Sequence, residues 1–500
     1  MAAPLVHLDR VNIAFGDRLV LKDFSLSIGS GEIVSVVGES GSGKSIGALM
    51  SMGLLSPAAT ITAHSAELFG EPLQEISPTE WQSLRGVRIA MVFQDPMTAL
   101  HPSMRIGAQL EEVLERHTDL RKSQRHEKII SALAEVEIPD PEQSAQKYPH
   151  EMSGGQRQRV VIAMAMLLDP DLIIADEPTT ALDKEVEAKV LELLERGVRK
   201  RGSALWFISH DLEVVASFSD RVLVLFRGET VEEGPARQIF DHPEHAYTKG
   251  LLACRPPKEG RPYPLPTLED FLERGKTSEQ ETLIAPESCN AIIAVEGLRI
   301  GYTRKKGWKT TKTWVVDGLD FELYEGETLG LIGPSGSGKS SIGRALVGLN
   351  AFEARRFIKG DARRIQFIFQ DPFSALNGAK SIGTILTDVL RKHQPDLSAT
   401  QRTQRAAALL EEVGLAATDL AKKPKAFSGG QRQRIGIARA LAAQPDILIC
   451  DESVSALDVS VQAQVLNLLN GIKKNRGLSM IFISHDPDVV RYMCDRIINL

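Results

Sequence analysis

The 500-residue chain has no long hydrophobic run: its longest uninterrupted apolar stretch is nine residues, 160–168, against the ~18 or more that a membrane-crossing helix requires. If the protein works at a membrane, another chain is expected to supply the spans. Its four cysteines (Cys254, Cys289, Cys450, Cys494) lie far apart with no C-x-x-C pair, so neither a zinc site nor a disulfide framework is indicated. Cys254 and Cys289 alone are too few for the four thiolates of an iron–sulfur cluster. Excess positive charge is missing too. A formal net charge of -6 and a pI near 6.1 give no electrostatic case for nucleic-acid binding. Residues 1–16 read as a strand bearing Asp9 and Arg10, not as a targeting peptide. These absences fit a reducing cytosol and a chain long enough for two or three domains.

What the chain does have, twice, is a glycine-rich loop. Gly38-Glu39-Ser40-Gly41-Ser42-Gly43-Lys44-Ser45 and Gly333-Pro334-Ser335-Gly336-Ser337-Gly338-Lys339-Ser340 each follow an apolar strand and open a helical pattern, the context of a phosphate-cradling P-loop. Gly41, Gly43, Gly336 and Gly338 let the backbone curl until successive N–H groups face one anion. The helix that follows presents its positive end to the same point. Lys44 and Lys339 are placed to reach the outer phosphates, and Ser45 and Ser340 to offer a hydroxyl to Mg²⁺.

The duplication extends well beyond the loops. Ser153 and Ser428, Glu177 and Glu452, and His210 and His485 share one offset, 275, as a tandem repeat should. The second half gains a basic tract around Arg304, Lys305, Lys306, Lys309 and Lys312, read as a solvated hairpin loop. It loses residues between its P-loop and Gln370, so a trimmed β-subdomain is expected there. The region matching that loss, residues 54–88, reads as short strands and turns. Helical spacing after Gln94 and Gln370 (Leu110, Val113 and Leu114; later Leu409 to Val413) predicts a helical subdomain in each half. Between the halves, Pro256, Pro257, Pro262, Pro264, Pro266 and Pro286 predict a semi-extended tether. The expected organisation is domain 1 over residues 1–254, a linker over 255–290, and domain 2 over 291–500. The second copy stops earlier than the first, and clipping of its last strand and helix is expected.

Two apolar runs end in acid, Leu172-Ile173-Ile174-Ala175-Asp176-Glu177 and Ile447-Leu448-Ile449-Cys450-Asp451-Glu452. Such runs read as buried parallel strands, whose C-terminal ends carry the chemistry of α/β sheets. Asp176 and Asp451 are then candidates for Mg²⁺, with Ser45 and Ser340, while Glu177 and Glu452 are candidates to polarise a water. A single histidine after a strand is usually structural; two at matched offsets, His210 and His485, point to the phosphate site.

The least generic element is Ser153-Gly154-Gly155-Gln156-Arg157-Gln158-Arg159, repeated as Ser428-Gly429-Gly430-Gln431-Arg432-Gln433-Arg434. On these residues the chain resembles ATP-binding cassette (ABC) proteins with two fused nucleotide-binding domains, which implies an α/β fold of two tandem P-loop ATPase domains, each with an antiparallel β-subdomain and a helical subdomain. The resemblance implies that each signature closes over ATP held by the other half. One site would use Lys44, Gln94, Asp176, Glu177 and His210 with Ser428, Gly429, Gly430 and Gln431; the other Lys339, Gln370, Asp451, Glu452 and His485 with Ser153, Gly154, Gly155 and Gln156. Phe15 and Tyr302 match the aromatic that stacks on adenine. Ser453 stands where Pro178 does in the first half, and Met152 and Phe427 precede the signatures where leucine is usual.

The run Phe240-Asp241-His242-Pro243-Glu244-His245-Ala246-Tyr247-Thr248-Lys249-Gly250-Leu251-Leu252 resembles the tail of ATPases in the dipeptide, oligopeptide and nickel importer group. His393-Gln394-Pro395 with Leu397-Ser398 is most like the Yej-type branch. This implies ATP and Mg²⁺ as cofactors, two membrane permeases and a periplasmic solute-binding protein as partners, no nucleic acid, and a peripheral position on the cytoplasmic face of the inner membrane. Oligopeptides or peptide-like compounds are the implied cargo, with glutathione and nickel as alternatives. A different class, soluble cassette pairs acting in translation or DNA repair, would bring an Asn-His-Leu-Asp run, a charged helical linker, or zinc cysteines and coiled coils. Here Ala181-Leu182-Asp183 and Ala456-Leu457-Asp458 stand instead.

Overall fold

The computed structural model describes residues 3–179, 184–274, 280–286, 288, 290–306, 309–334, 336–360, 364–371, 375–455 and 457–500. Ser335, Cys289, residues 180–183 and Ala456, singled out above, lie outside the described residues. The chain divides into two compact units, Met1–Ala253 with Phe271–Glu273, and Cys254–Asp270 with Arg274–Leu500.

The first unit is built on a six-stranded sheet in the order Glu229–Pro235, Arg221–Phe226, Ile33–Val37, Ala204–Ser209, Leu172–Asp176, Ile89–Val92. All neighbours run parallel except the first pair. Every residue of the three central strands is buried, which explains why they read as continuous apolar runs and not as alternation. The sheet order has a chemical consequence. Because Leu172–Asp176 lies between Ile89–Val92 and Ala204–Ser209, the loops that leave these three strands at their C-terminal ends carry Gln94, Glu177 and His210 side by side.

The second unit repeats this with five parallel strands, in the order Ile365–Ile368, Ile447–Asp451, Ser479–Ile483, Thr328–Ile332, Arg496–Asn499. Helices Ile106–His117 and Lys122–Glu135 in the first unit, and Ile382–His393 and Ala399–Glu412 in the second, form the helical layers.

Each unit also carries an antiparallel sheet. In the first it has five strands around the hairpin Val6–Phe15 and Arg18–Ile28; in the second it has three, Ala291–Lys306, Lys309–Tyr324 and Arg356–Lys359. Residues 54–88 are not only strands and turns. Pro78–Leu84 is a helix, opened by a reciprocal cap in which Ser77 N donates to Glu80 Oε2 (2.7 Å) and Glu80 N to Ser77 Oγ (3.3 Å). The basic tract is no loose loop either: the strand ladder continues through it to the Lys306–Lys309 pair, and Lys312 Nζ lies 2.6 Å from Glu353 and 3.9 Å from the centre of the Trp314 ring.

The proline-rich segment also departs from expectation. Its part Cys254–Asp270 belongs to the second unit and is docked there as a strap. Arg261 donates to the carbonyls of Tyr492 (2.8 Å) and Met493 (3.2 Å) and to Asp495 Oδ1 (2.7 Å). Leu265, 1% exposed, exchanges backbone bonds with the Asn467 amide at 2.7 and 2.9 Å. Proline removes donors and stiffens the chain, but it does not prevent the intervening residues from packing.

Candidate active sites

The two P-loops share the placement of their lysine and of the glycine that opens the following helix. Gly38 has φ 153°, and a side chain there would start 2.1 Å from the Leu225 carbonyl oxygen, so only glycine fits. Gly43 and Gly338, at φ 103° and 99°, cap the helices Lys44–Ser51 and Lys339–Leu346. Lys44 Nζ donates to the Gly38 (2.7 Å) and Glu39 (2.9 Å) carbonyls. Lys339 Nζ does the same to Gly333 (2.7 Å) and Pro334 (3.0 Å). Both lysines are buried.

Across from each loop sits the acidic pair. Ser45 Oγ donates to Asp176 Oδ1 at 2.9 Å, and Ser340 Oγ to Asp451 Oδ1 at 2.7 Å. Burial pushes both aspartates above the usual carboxylate range, partly offset by these hydroxyls. Gln94 Nε2 donates to Glu177 Oε2 (3.0 Å), and His210 Nδ1 lies 3.3 Å from the same oxygen. In the second unit Gln370 reaches Glu452 Oε2 at 2.6 Å, with His485 Nδ1 at 3.6 Å. The His485 contact holds the Glu452 carboxyl below its usual range although burial opposes it.

Both glutamates are left-handed, at φ 44° and 46°, a conformation that costs an ordinary L-residue about 1–2 kcal/mol. The conformation is held by the neighbouring strand. Glu177 N donates to the Ile208 carbonyl and Glu452 N to that of Ile483, each at 2.9 Å. Other non-glycine residues, Asp169 and Gln444 among them, are also left-handed, and the two glutamates differ in standing beside the P-loop lysines and the strand-end aspartates.

The donors present suit a small hard cation: a serine hydroxyl, a buried carboxylate, and the amide oxygen of Gln94 or Gln370, whose nitrogen is turned toward the glutamate. No group of three or more His, Cys, Asp or Glu suited to a metal occurs among the described residues. Mg²⁺ commonly binds through few protein ligands and the phosphates of its nucleotide.

The signature residues form separate features. Ser153 and Ser428 cap the helices Gly154–Met166 and Gly429–Ala442, each donating its N–H to the side-chain oxygen of Gln156 or Gln431 and accepting that residue's N–H at its own hydroxyl. Gly155 and Gly430 are packing glycines, since a side chain would start 2.4 Å from Val186 Cγ1 or 2.2 Å from Val461 Cγ1. Gly155→Ala should therefore lower stability by about 1–3 kcal/mol in denaturant unfolding, and Val186→Ala should restore much of it; additive losses would refute the clash. Phe15 is half-buried at its strand end. Tyr302 is 49% exposed, its hydroxyl 2.9 Å from Ser341 Oγ beside the P-loop.

A family profile described as ABC transporter matches residues 21–180 and 316–455. The uncharacterized ABC transporter ATP-binding protein YejF of Escherichia coli K12 is 40% identical over 521 residues, covering 100% of this chain and 94% of that protein. The chain belongs to the ABC transporter family. The glutathione import ATP-binding protein GsiA of the same strain is 38% identical, covering 99% of this chain and 84% of its own length. An archaeal ribosome recycling factor, aABCE1, solved with the stalk protein aP1, aligns over 95% of the chain and 85% of its own with a TM-score of 0.59 and 19% identity, a likeness of fold alone. As an ABC ATP-binding protein the chain binds ATP and is an ATPase. No helix among the described residues is long and apolar enough to cross a membrane.

One ABC-site feature escaped the sequence reading. Tyr247, quoted only as part of the tail motif, is hydrogen-bonded to the first P-loop. Its distance in the chain from Glu39 left no local signal.

Proposed function

We propose that the chain is the ATP-hydrolysing subunit of an ABC importer, driving uptake of oligopeptides or peptide-like compounds through separate permease subunits. It would sit on the cytoplasmic face of the inner membrane, with a periplasmic solute-binding protein delivering cargo. The observation that carries this reading is the full-length likeness to YejF and GsiA, across both cassettes.

The residues support hydrolysis at two equivalent sites. Lys44 and Lys339 would hold the outer phosphates against the loop N–H groups. Glu177 and Glu452 would accept the proton of the attacking water, with Gln94 or Gln370 and His210 or His485 fixing each carboxylate. Mg²⁺, when bound at Ser45, Asp176 and Gln94 or at Ser340, Asp451 and Gln370, would neutralise developing phosphate charge. Phe15 and Tyr302 would stack on the adenine.

A narrower reading is glutathione import, favoured by the GsiA likeness. The deciding experiment is phosphate release by the complex reconstituted in nanodiscs with candidate permeases and a solute-binding protein. Short oligopeptides should stimulate turnover several-fold. Stimulation by glutathione alone would select the narrower reading, and failure to assemble with any permease would refute the importer.

A further inference from the structure

Besides the residues already placed at the first P-loop, one side chain from some two hundred positions away touches its backbone. Tyr247, fully buried on the helix Ala246–Ala253, accepts a hydrogen bond from the backbone N–H of Glu39 at 3.0 Å. The carbonyl of the same residue receives Lys44 Nζ (2.9 Å) and the N–H of Ser42 (3.2 Å). The tyrosine hydroxyl thus fixes the residue on which the P-loop lysine rests.

The ring is held in turn. It stacks on Phe226 with centroids 4.2 Å apart, and Phe226 ends the strand whose Leu225 carbonyl abuts Gly38. The start of the tyrosine's helix is pinned by Glu232, which accepts from the N–H groups of Glu244 (2.8 Å) and His245 (3.1 Å), while His245 Nδ1 accepts from Tyr247 N (3.1 Å).

The second P-loop supplies an internal control. Pro334 stands where Glu39 does, with no N–H to satisfy and φ already fixed, yet the loop keeps its geometry: Ser337 N to the Pro334 carbonyl is 3.2 Å and Lys339 Nζ to it is 3.0 Å. The two cassettes solve one problem differently, the first with an acceptor brought in from the tail and the second by deleting the donor.

We infer that Tyr247 is a positioning residue of the first ATP site, holding the P-loop backbone at Glu39 through its hydroxyl. The inference rests on the reading of that loop as an ATP site. The test uses the full-length chain carrying Lys339→Ala, so that calorimetric titration with Mg-ATP reads the first loop. Absence of binding in that parent would overturn the ATP-site reading itself. With binding present, Tyr247→Phe, which keeps the ring stack, should weaken affinity about fivefold, the effect of one ordinary hydrogen bond. Introduced together with Glu39→Pro, the same change should have a clearly smaller effect, because that donor is gone. Unchanged affinity after Tyr247→Phe, or an equal loss in both backgrounds, would overturn the inference. Amide hydrogen exchange at Glu39 gives a second readout without the proline: it should accelerate about tenfold in Tyr247→Phe, and an unchanged rate would equally refute the role.

Discussion

Replacing Glu177 and Glu452 together with glutamine lowers steady-state ATP turnover about 10²–10⁴-fold, the span a positioned general base contributes, while leaving Mg-ATP binding in place. Glutamine keeps the size of the side chain and an oxygen for Gln94 or Gln370, but it cannot take a proton from water. The two single variants should fall by similar factors, because each cassette has its own Gln hydrogen-bonded to the Glu and its own His within 4 Å of the same carboxylate. Phosphate release on the purified protein measures this. Loss of all turnover in Glu177→Gln with none in Glu452→Gln would show that the sites are unequal in spite of their matching geometry.

Arg261→Ala destabilises the second unit by about 2–3 kcal/mol, less than the ~3–5 kcal/mol of a buried charge left wholly alone, because Lys473 remains. The comparison within the chain explains the size. Asp220 in the first unit accepts from Ile33 N (2.8 Å) and from both terminal nitrogens of Arg199 at 3.1 and 2.9 Å. Its counterpart Asp495 accepts from Thr328 N (2.8 Å), Lys473 (2.9 Å) and the strap's Arg261 (2.7 Å). The second unit thus takes from the strap the arginine that the first carries on its own helix.

Burial raises the Asp495 carboxyl, but Lys473, the Thr328 N–H and Arg261 outweigh it and hold the group below its usual range. The stability this supplies is complete above the ordinary aspartate value of about 3.9 and is lost as pH falls through the lower folded value. The gap between wild type and Arg261→Ala should therefore narrow in that acid window. Urea unfolding across pH tests it, and an unchanged midpoint at neutral pH would mean that Arg261 contributes nothing.

The P-loops and acidic pairs were legible because their chemistry is local: Lys44 adjoins Ser45 and Asp176 adjoins Glu177. Apolar runs ending in acid also implied the parallel strands, and strand order then brought Gln94 and His210 to Glu177. The strap was illegible because composition averages over residues, and six prolines concealed one well-placed arginine and Leu265. The position matching Arg199 is Lys474, which turns to Glu281 at 2.6 Å, while its neighbour Lys473 serves Asp495. The helix Pro78–Leu84 was announced by Ser77 and Glu80 at capping-box spacing and was passed over as turn. Tyr247 and the left-handed glutamates carry no local signal, since each depends on a partner strand or loop distant in sequence.

Those two glutamates also set heat resistance against catalysis at the same two codons. Glycine at 177 or 452 would relax the main chain and erase the carboxylate in one step. A selection that rewarded only survival at high temperature would thus tend to dismantle the sites it left folded, and only a selection that also demanded turnover would keep the strain in place.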